Sequence, residues 1–372
     1  MVNDNLSRRS FLAATGILLG TSLGGASPQS STPSMPSMKD AYKSAFPIGT
    51  ALDFRRPDEF NAAELELIKS QFNVITPENS MKPANVHPQE DMWNWTQADA
   101  LVSFCGQNNI RTAGHCLVWH SQTNPWFFQD PTREVVLQKL RNHILTLVGR
   151  FKGKMMGWDV VNEAINDGGD DTTAATENLR RSQWFQIVGP DYLVQAFKYA
   201  READPDVALH YNDYNIESGP KHRSSVLLLK RLIADGAPIT TVGIQGHWSV
   251  PGMTAQKLEE IDRAIEDYKA LKLKVAISEL DLTIAGAGGG QLAAGGRGRG
   301  AATPPTPESL QAQADAYAKL FAIFVKHRDV INRVTFWGLN DRRSWRAGQN
   351  PLAFDGENQP KPALQAIVSA AR

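Results

Sequence analysis

The stretch Trp158-Asp159-Val160-Val161-Asn162-Glu163-Ala164 places an apolar strand directly before an amide and a carboxylate. Val160 and Val161 are β-branched, and such residues favour a buried strand. Asn162 and Glu163 then follow at the carboxyl end of that strand. In parallel α/β proteins the sites are built at this end, because the strands converge there and the loops vary freely. A catalytic role for Glu163 requires a second carboxylate that faces it.

The same order of apolar strand, polar strand end and amphipathic helix repeats from Phe46 to the end of the chain. It predicts eight strands, over residues 46–52, 73–76, 111–119, 154–161, 207–212, 242–246, 274–279 and 333–339. It predicts helices over residues 58–71, 96–108, 131–150, 190–203, 221–235, 254–271, 307–327 and 361–371. Eight such units indicate an α/β fold, a closed (β/α)₈ TIM barrel, as a single catalytic domain over residues 41–372. The alternative, a doubly wound open sheet, would normally carry a Gly-rich phosphate turn, which the chain lacks.

Composition and motifs argue against several classes of protein. The 372 residues carry 39 basic and 39 acidic side chains, and this balance argues against a nucleic-acid partner. The two cysteines, Cys105 and Cys116, exclude a disulfide framework and are expected to be reduced core residues rather than one bridge. The Gly/Ala/Arg-rich tract over 285–300 is expected to be a surface loop. No Gly-x-Ser-x-Gly elbow or metal-ligand spacing occurs, so we expect neither a serine hydrolase nor a metal or cofactor.

The first residues predict export rather than fold. The pair Arg8-Arg9 precedes an apolar run over 13–23 and the small residues Gly24-Gly25-Ala26. This pattern is typical of a twin-arginine signal over residues 1–26, and the run is too short to span a bilayer as a mature helix. Residues 27–40 are rich in Ser, Pro and Met and predict a disordered linker. We therefore expect a periplasmic or extracellular monomer without a membrane anchor after signal removal.

The second carboxylate is found in Ile277-Ser278-Glu279-Leu280-Asp281, which ends the seventh predicted strand. Strands four and seven lie on opposite sides of an eight-stranded barrel mouth, so Glu279 is expected to face Glu163. Two facing carboxylates are typical of glycoside hydrolysis, in which one donates a proton and the other stays ionised. We expect His247 and Asp281 to orient Glu279 and keep it ionised as the nucleophile, which leaves Glu163 as the acid/base.

Other strand ends carry side chains that suit a sugar substrate. Sugar hydroxyls need polar partners, and the C–H faces of sugar rings pack on flat aromatic rings. The expected substrate-binding set consists of Glu78, Asn79, Lys82, His115, Trp119, Gln122, Asn162, Asn212, Tyr214, Asn215, Trp337 and Trp345. Trp93 and Trp95 lie outside any strand end and are expected to be packing residues.

With these residues in place, the chain resembles the glycoside hydrolase family 10 endo-β-1,4-xylanases. The resemblance rests on TPENSMKP (76–83), GHCLVWHSQ (114–122), WDVVNEA (158–164), YNDYN (211–215), GIQGH (243–247), ISELD (277–281) and the segments 336–345 and 352–362. It implies a TIM barrel and a retaining enzyme that acts on xylan or xylo-oligosaccharides, with Glu163 as acid/base and Glu279 as nucleophile. It also implies that Tyr214 is the aromatic residue of the aglycone side. The glycone-side contacts that it implies are Glu78, Asn79, Lys82, His115, Trp119, Gln122, Asn162, Gln245, Trp337 and Trp345.

The chain departs from the family pattern at Met156-Gly157, at Trp248 after His247, and in the long tract over 285–300. These departures leave the expected chemistry intact and leave open the preference for linear or decorated xylan. Two alternative functions remain at this stage. One is a β-1,4-glucanase of related architecture. The other is a non-catalytic sugar-binding barrel, which would be expected to lack one of the two carboxylates.

Overall fold

The computed structural model describes residues 36–56, 58–167, 174–285 and 304–372. The predicted export signal over 1–26 and the predicted linker up to residue 35 lie outside the described residues, as does the tract over 286–300. Within the described residues, every helix is too short or too polar to cross a membrane.

Parallel strands in the described part of the chain close into a barrel. They are β1 Ile48–Leu52, β2 Val74–Pro77, β3 Arg111–Trp119, β4 Met155–Asn162, β5 Ala208–Asp213, β6 Thr241–Ile244, β7 His247–Ser249, β8 Lys274–Thr283 and β9 Ile331–Phe336. The sheet order is β6-β5-β4-β3-β2-β1-β9-β8-β7, and a further pairing of β6 with β8 closes the ring. The predicted (β/α)₈ barrel is confirmed, and β7 is a short addition beside the end of β8.

Helices precede, separate and follow the strands along the chain. They are α1 Met38–Ala41, α2 Ala62–Gln71, α3 Pro83–Val86, α4 Thr96–Gln107, α5 Arg133–Arg150, α6 Gln183–Val188, α7 Asp191–Ala203, α8 Gly219–Ala234, α9 Ala255–Ala270, α10 Pro307–Lys326 and α11 Pro362–Ser369. The first helix predicted from the sequence starts too early, at residue 58. The corresponding helix, α2, begins after Asn61, because the Asn61 side chain and Glu64 form a capping box that satisfies the first free N–H groups.

The folded domain starts a few residues before the predicted boundary at residue 41. Met38 is fully buried, and its N–H donates to Gln71 Oε1 at 3.1 Å. Gln71 Nε2 in turn donates to the Pro36 carbonyl at 3.0 Å. The last residues assigned to the disordered linker therefore belong to the fold, since an apolar side chain and two hydrogen bonds hold them against α2.

A buried polar cluster is formed by side chains of β3, β4, β5 and β9. Asp159 Oδ2 lies 2.9 Å from His115 Nδ1, and Asp159 Oδ1 lies 3.1 Å from His210 Nδ1 and 3.5 Å from Arg333 Nη2. Burial raises the pKa of Asp159, but these partners outweigh it and hold the pKa well below its usual range. Gly157 leaves room for the cluster, because a Cβ there would lie 2.5 Å from His210 Nε2.

Two smaller expectations about the core are met. Cys105 and Cys116 are free and buried. Trp93 and Trp95 stack on each other with ring centroids 4.6 Å apart, and Trp93 also stacks on the buried His87 at 3.7 Å. These rings pack against the hydrophobic core.

Candidate active site

Glu163 stands where β4 ends and the backbone changes direction. Its φ of 57° lies in the left-handed region, which residues other than glycine rarely adopt. Its N–H donates to the Asn212 carbonyl at 2.8 Å, and its own carbonyl accepts from Arg180 Nε at 3.0 Å. The main chain of Glu163 is thus held on both sides.

The Glu163 carboxyl group is mostly buried and accepts two hydrogen bonds. Trp119 Nε1 donates to Oε2 and Gln245 Nε2 donates to Oε1, each at 2.9 Å. Burial raises the pKa of Glu163, the charge of Asp213 raises it further, and the two hydrogen bonds oppose this only in part. Glu163 is the carboxyl group suited to hold a proton and deliver it.

Glu279 lies inside β8 and is held by an amide and an imidazole. Asn212 Nδ2 donates to Glu279 Oε1 at 2.7 Å, and His247 Nε2 lies 3.3 Å from Glu279 Oε2. His247 Nδ1 lies 2.8 Å from Asp281 Oδ2, as β7 sets His247 opposite Asp281. Burial disfavours the charged ring, but the charges of Asp281 and Glu279 outweigh it and raise the pKa of His247 to about 9. The predicted Glu279–His247–Asp281 contacts are present.

A chain of amides links the two carboxylates. Gln245 Nε2 lies 3.4 Å from Asn162 Oδ1, which also accepts from Asn212 Nδ2 at 2.8 Å. Asn212 Oδ1 accepts from Ser278 Oγ at 2.5 Å, and Asn212 is fully buried. Gly243 is required behind it, because a Cβ there would lie 2.1 Å from Asn212 Oδ1. Asn212 was expected to bind substrate; in the structure it is fully buried, and its amide donates to Glu279 and Asn162.

On the side of β1 and β2, one buried carboxylate arranges the expected sugar contacts. Asp53 Oδ1 accepts from the N–H groups of Asn79 and Ser80 at 3.2 and 2.9 Å, and Asp53 Oδ2 accepts from Asn79 Nδ2 at 3.1 Å. Asn79 Oδ1 then accepts from Lys82 Nζ at 3.1 Å. Burial and the charge of Asp53 together raise the pKa of Glu78. Sequence reasoning missed Asp53, although it follows a predicted strand directly.

Aromatic rings and imidazoles form the next part of the site. Lys82 Nζ lies 5.0 Å from the centre of the Trp119 ring. The ring of Trp337 is 5.2 Å from that of His115, in an edge contact. Trp345 makes a similar contact with His247 at 5.0 Å, and its Nε1 donates to Asp281 at 2.7 Å. Of the remaining expected residues, Gln122 has a φ of 44° and its carbonyl accepts from the Ala84 N–H at 2.7 Å.

Tyr214 belongs to a charged cluster that also contacts the main chain of Glu163. Its hydroxyl accepts from Arg180 Nη2 at 2.6 Å and donates to Asp167 Oδ2. Lys221 Nζ lies 3.4 Å from the centre of the Tyr214 ring and 2.9 Å from Asp213 Oδ1. Arg180 was not singled out from the sequence, because it lies in an irregular loop that carries no periodic pattern. Asp167 was expected to belong to a solvated acidic loop, but it pairs with Arg180 and Lys221. Asn215 follows with a φ of 56°.

The arrangement fits acid–base and nucleophilic chemistry by two carboxyl groups. One side chain has a raised pKa, and the other accepts from an amide and lies 3.3 Å from an imidazole whose own pKa is raised. Within the described ranges, no group of three or more His, Cys, Asp or Glu side chains could hold a metal ion.

The comparison with known proteins decides the family. The model of Glycosyl hydrolase family 10 matches residues 37–370. The chain belongs to glycosyl hydrolase family 10. As a member of glycosyl hydrolase family 10 it is similar to the endo-1,4-beta-xylanase/feruloyl esterase of Xylanibacter ruminicola, with 38% identity over 347 residues that cover 89% of this chain and 46% of that protein.

A second family 10 relative is endo-1,4-beta-xylanase B of Paenibacillus barcinonensis, with 38% identity over 90% of this chain and 98% of that protein. Among solved structures, the chain is similar to an intracellular xylanase of Thermoanaerobacterium saccharolyticum, a variant in complex with xylotriose. The TM-score is 0.78 and the identity 35%, over 90% of this chain and 99% of that one. The chain thus spans about half the length of some curated family 10 relatives and nearly all of others.

Proposed function

We propose that the protein is a retaining endo-β-1,4-xylanase that hydrolyses internal xylosidic bonds of xylan by double displacement. The observation that carries this proposal is the different environment of the two carboxyl groups. Glu163 is buried beside Asp213 and its pKa is raised, whereas Glu279 accepts from Asn212 and lies 3.3 Å from His247. Membership of glycosyl hydrolase family 10, whose named relatives include endo-1,4-beta-xylanases, supports the substrate class.

The reaction proceeds in two displacement steps. Glu279 attacks the anomeric carbon of a xylose unit and forms a glycosyl ester, while the bond from that carbon to the leaving oxygen breaks and Glu163 protonates that oxygen. Water then attacks the same carbon, Glu163 takes the proton of the water, and the Glu279 carboxylate is released. Two inversions leave the product with the configuration of the substrate.

The binding residues are proposed to divide between the two sides of this centre. Glu78, Asn79, Lys82 and His115 are proposed to contact the glycone hydroxyls, and Trp337 and Trp345 to cover the sugar ring. Tyr214 is proposed for the aglycone side. The network of Asp53, Asn79 and Lys82 supports this division, because it presents fixed polar groups of the kind that sugar hydroxyls need.

Product analysis tests the proposal and separates it from its rivals. The protein is incubated with linear xylan, arabinoxylan and carboxymethyl-cellulose, and new reducing ends are measured while NMR follows the anomeric configuration. We expect internal cleavage of xylan and a first product in the β configuration. More rapid cleavage of carboxymethyl-cellulose would favour the glucanase, an initial α product would contradict retention, and no cleavage would favour a sugar-binding barrel.

We also propose that the chain is exported by the twin-arginine route and acts as a monomer. The pair Arg8-Arg9 and the apolar run that follows support export. Replacement of both arginines by lysine is expected to retain the protein in the cytoplasm, and secretion of that variant at the normal level would contradict the route. Sedimentation of the mature protein tests the monomer, and a second copy in the sedimenting species would contradict it.

A further inference from the structure

Arg180 makes contacts that join the main chain of Glu163 to the ring of Tyr214. Its Nε donates to the Glu163 carbonyl at 3.0 Å. Its Nη2 donates to the Tyr214 hydroxyl at 2.6 Å and to Asp167 Oδ2 at 2.9 Å. Its own N–H donates to the Ala164 carbonyl at 2.8 Å. One planar side chain therefore connects Glu163 with Tyr214, the aromatic residue proposed for the aglycone side.

The backbone of Glu163 needs such support. A φ of 57° is unfavourable for a residue other than glycine, and such a conformation persists only where neighbours hold it. After Glu163 the chain has left β4, and it is tied to the loop before α6 by a bridge between Ile165 and Leu179. A hydrogen bond of 2.7 Å from the Asn166 N–H to the Asn178 carbonyl adds to this tie. Arg180 adds a charged side chain to these contacts between the two segments.

The charge of Arg180 is paired with Asp167. What distinguishes Arg180 from another cation at this position is therefore the geometry of its hydrogen-bond donors. Asp167 accepts from Arg180 through Oδ2 and from Lys221 through Oδ1, the latter at 3.0 Å. A guanidinium group presents several donors in one fixed plane, whereas an ammonium group is a point charge on a flexible stem. The donors of Arg180 fit the Glu163 carbonyl and the Tyr214 hydroxyl at the same time.

We propose that Arg180 is a positioning residue for proton donation. It fixes the main chain of Glu163 and the hydroxyl of Tyr214 relative to each other, so that the acid is aligned with the oxygen of a sugar leaving group. This inference rests on the proposed role of Glu163 as acid/base. Proton donation matters most for a poor leaving group, and misplacement of a catalytic group by about 1 Å can cost about 100-fold in rate.

The test compares a poor and a good leaving group in the variants Arg180→Gln and Arg180→Lys. Xylohexaose supplies the poor one and 2,4-dinitrophenyl β-xylobioside the good one. Values of kcat/KM are calculated per active site titrated with an activated 2-deoxy-2-fluoro-xylobioside, so that misfolded protein does not count. The matched control is Arg181→Gln, since Arg181 is exposed and its Cζ lies 4.3 Å from the Phe185 ring.

We expect Arg180→Gln to lower kcat/KM on xylohexaose by about 30- to 100-fold and kcat/KM on the dinitrophenyl substrate by less than about threefold, because kcat/KM reports the first step, in which only the poor leaving group needs the proton. Arg180→Lys is expected to behave like Arg180→Gln, because it keeps the charge but not the fork of donors, and Arg181→Gln like the wild type. Equal losses on both substrates, or full activity of Arg180→Lys, would overturn the proposal.

Glu163→Ala measured in parallel separates this inference from the proposed function. If Glu163→Ala shows the strong dependence on the leaving group and Arg180→Gln does not, only the inference about Arg180 fails. If Glu163→Ala itself loses equally on both substrates, the acid/base assignment fails. Should Arg180→Gln yield no titratable sites, Tyr214→Phe removes one acceptor of Arg180 and is expected to show the same selective loss to a smaller extent, and a loss equal on both substrates would overturn the proposal.

Discussion

Asn212 Nδ2 lies 2.7 Å from Glu279 Oε1 and donates a hydrogen bond to it from a fully buried position. The same nitrogen donates to Asn162 Oδ1 at 2.8 Å, so one amide contacts both the proposed nucleophile and Asn162. Ser278 fixes this amide from the other side by donating to its oxygen. The orientation of the proposed nucleophile is therefore built into the barrel interior rather than into a loop.

Replacement of Asn212 by alanine tests that relationship. A hydrogen bond to a charged group contributes about 1.5–3 kcal/mol, so we expect kcat/KM to fall by about 10- to 100-fold per titrated active site. Ser278→Ala is the matched control, because it removes the neighbour of Asn212 but leaves the donor to Glu279 in place. A loss in Asn212→Ala no larger than in Ser278→Ala would argue against an orienting role.

The charge of Asp213 is expected to shift the pH profile. Asp213 is the second cause, after burial, of the raised pKa of Glu163. Asp213→Asn should lower the pKa of Glu163, so that the acid loses its proton at a lower pH. We expect the alkaline limb of kcat on xylan to move to lower pH, while the rate on a dinitrophenyl xylobioside changes little on that side. An unchanged alkaline limb would contradict the coupling.

The ion pair of His247 predicts a contribution to stability that depends on pH. The folded-state pKa of His247 is about 9, above its ordinary value of 6.5. Its stabilisation is therefore fully present below about pH 6.5 and lost as the pH rises through about 9. The difference in unfolding free energy between wild type and His247→Gln, measured by urea denaturation, should shrink across this window. A constant difference from pH 6 to 10 would show that the imidazole is not charged in the folded protein.

His143 predicts the opposite trend at acid pH. Burial and the nearby His87 lower the pKa of His143 from 6.5 to about 3. The unfolded chain binds the proton more readily, so stability is full above about pH 6.5 and falls towards pH 3, by up to about 1.4 kcal/mol per pH unit for this group. The acid slope should be shallower in His143→Gln. Equal slopes in the two proteins would mean that His143 is protonated without cost.

The sequence predicted the barrel because each strand carries its own apolar run, which local patterns reveal. It did not predict β7, since His247-Trp248-Ser249 looks like a loop after Gly246. That strand forms only because it pairs with the extended end of β8, which runs to Thr283 rather than ending at Glu279. Non-local pairing of this kind leaves no periodic signal in the chain.

The two carboxylates and their expected partners could be located from strand ends, because parallel strands bring these ends to one face. The contacts of Asn212 with Glu279 and Asn162 could not, since a polar residue at a strand end can point to substrate or to a neighbour. Arg180 was missed for a related reason: its partners are a backbone carbonyl and a tyrosine hydroxyl from two other segments. Only the assembled fold brings them within reach.

The central claim is that Glu279 is the nucleophile, and rescue of Glu279→Ala by azide tests it most directly. The variant keeps Glu163 and a small space where the carboxylate stood. On a dinitrophenyl xylobioside it should lose nearly all turnover, and added azide should restore cleavage with formation of the α-xylobiosyl azide, identified by NMR. Wild-type turnover in Glu279→Ala, or rescue that yields the β azide, would contradict the assignment.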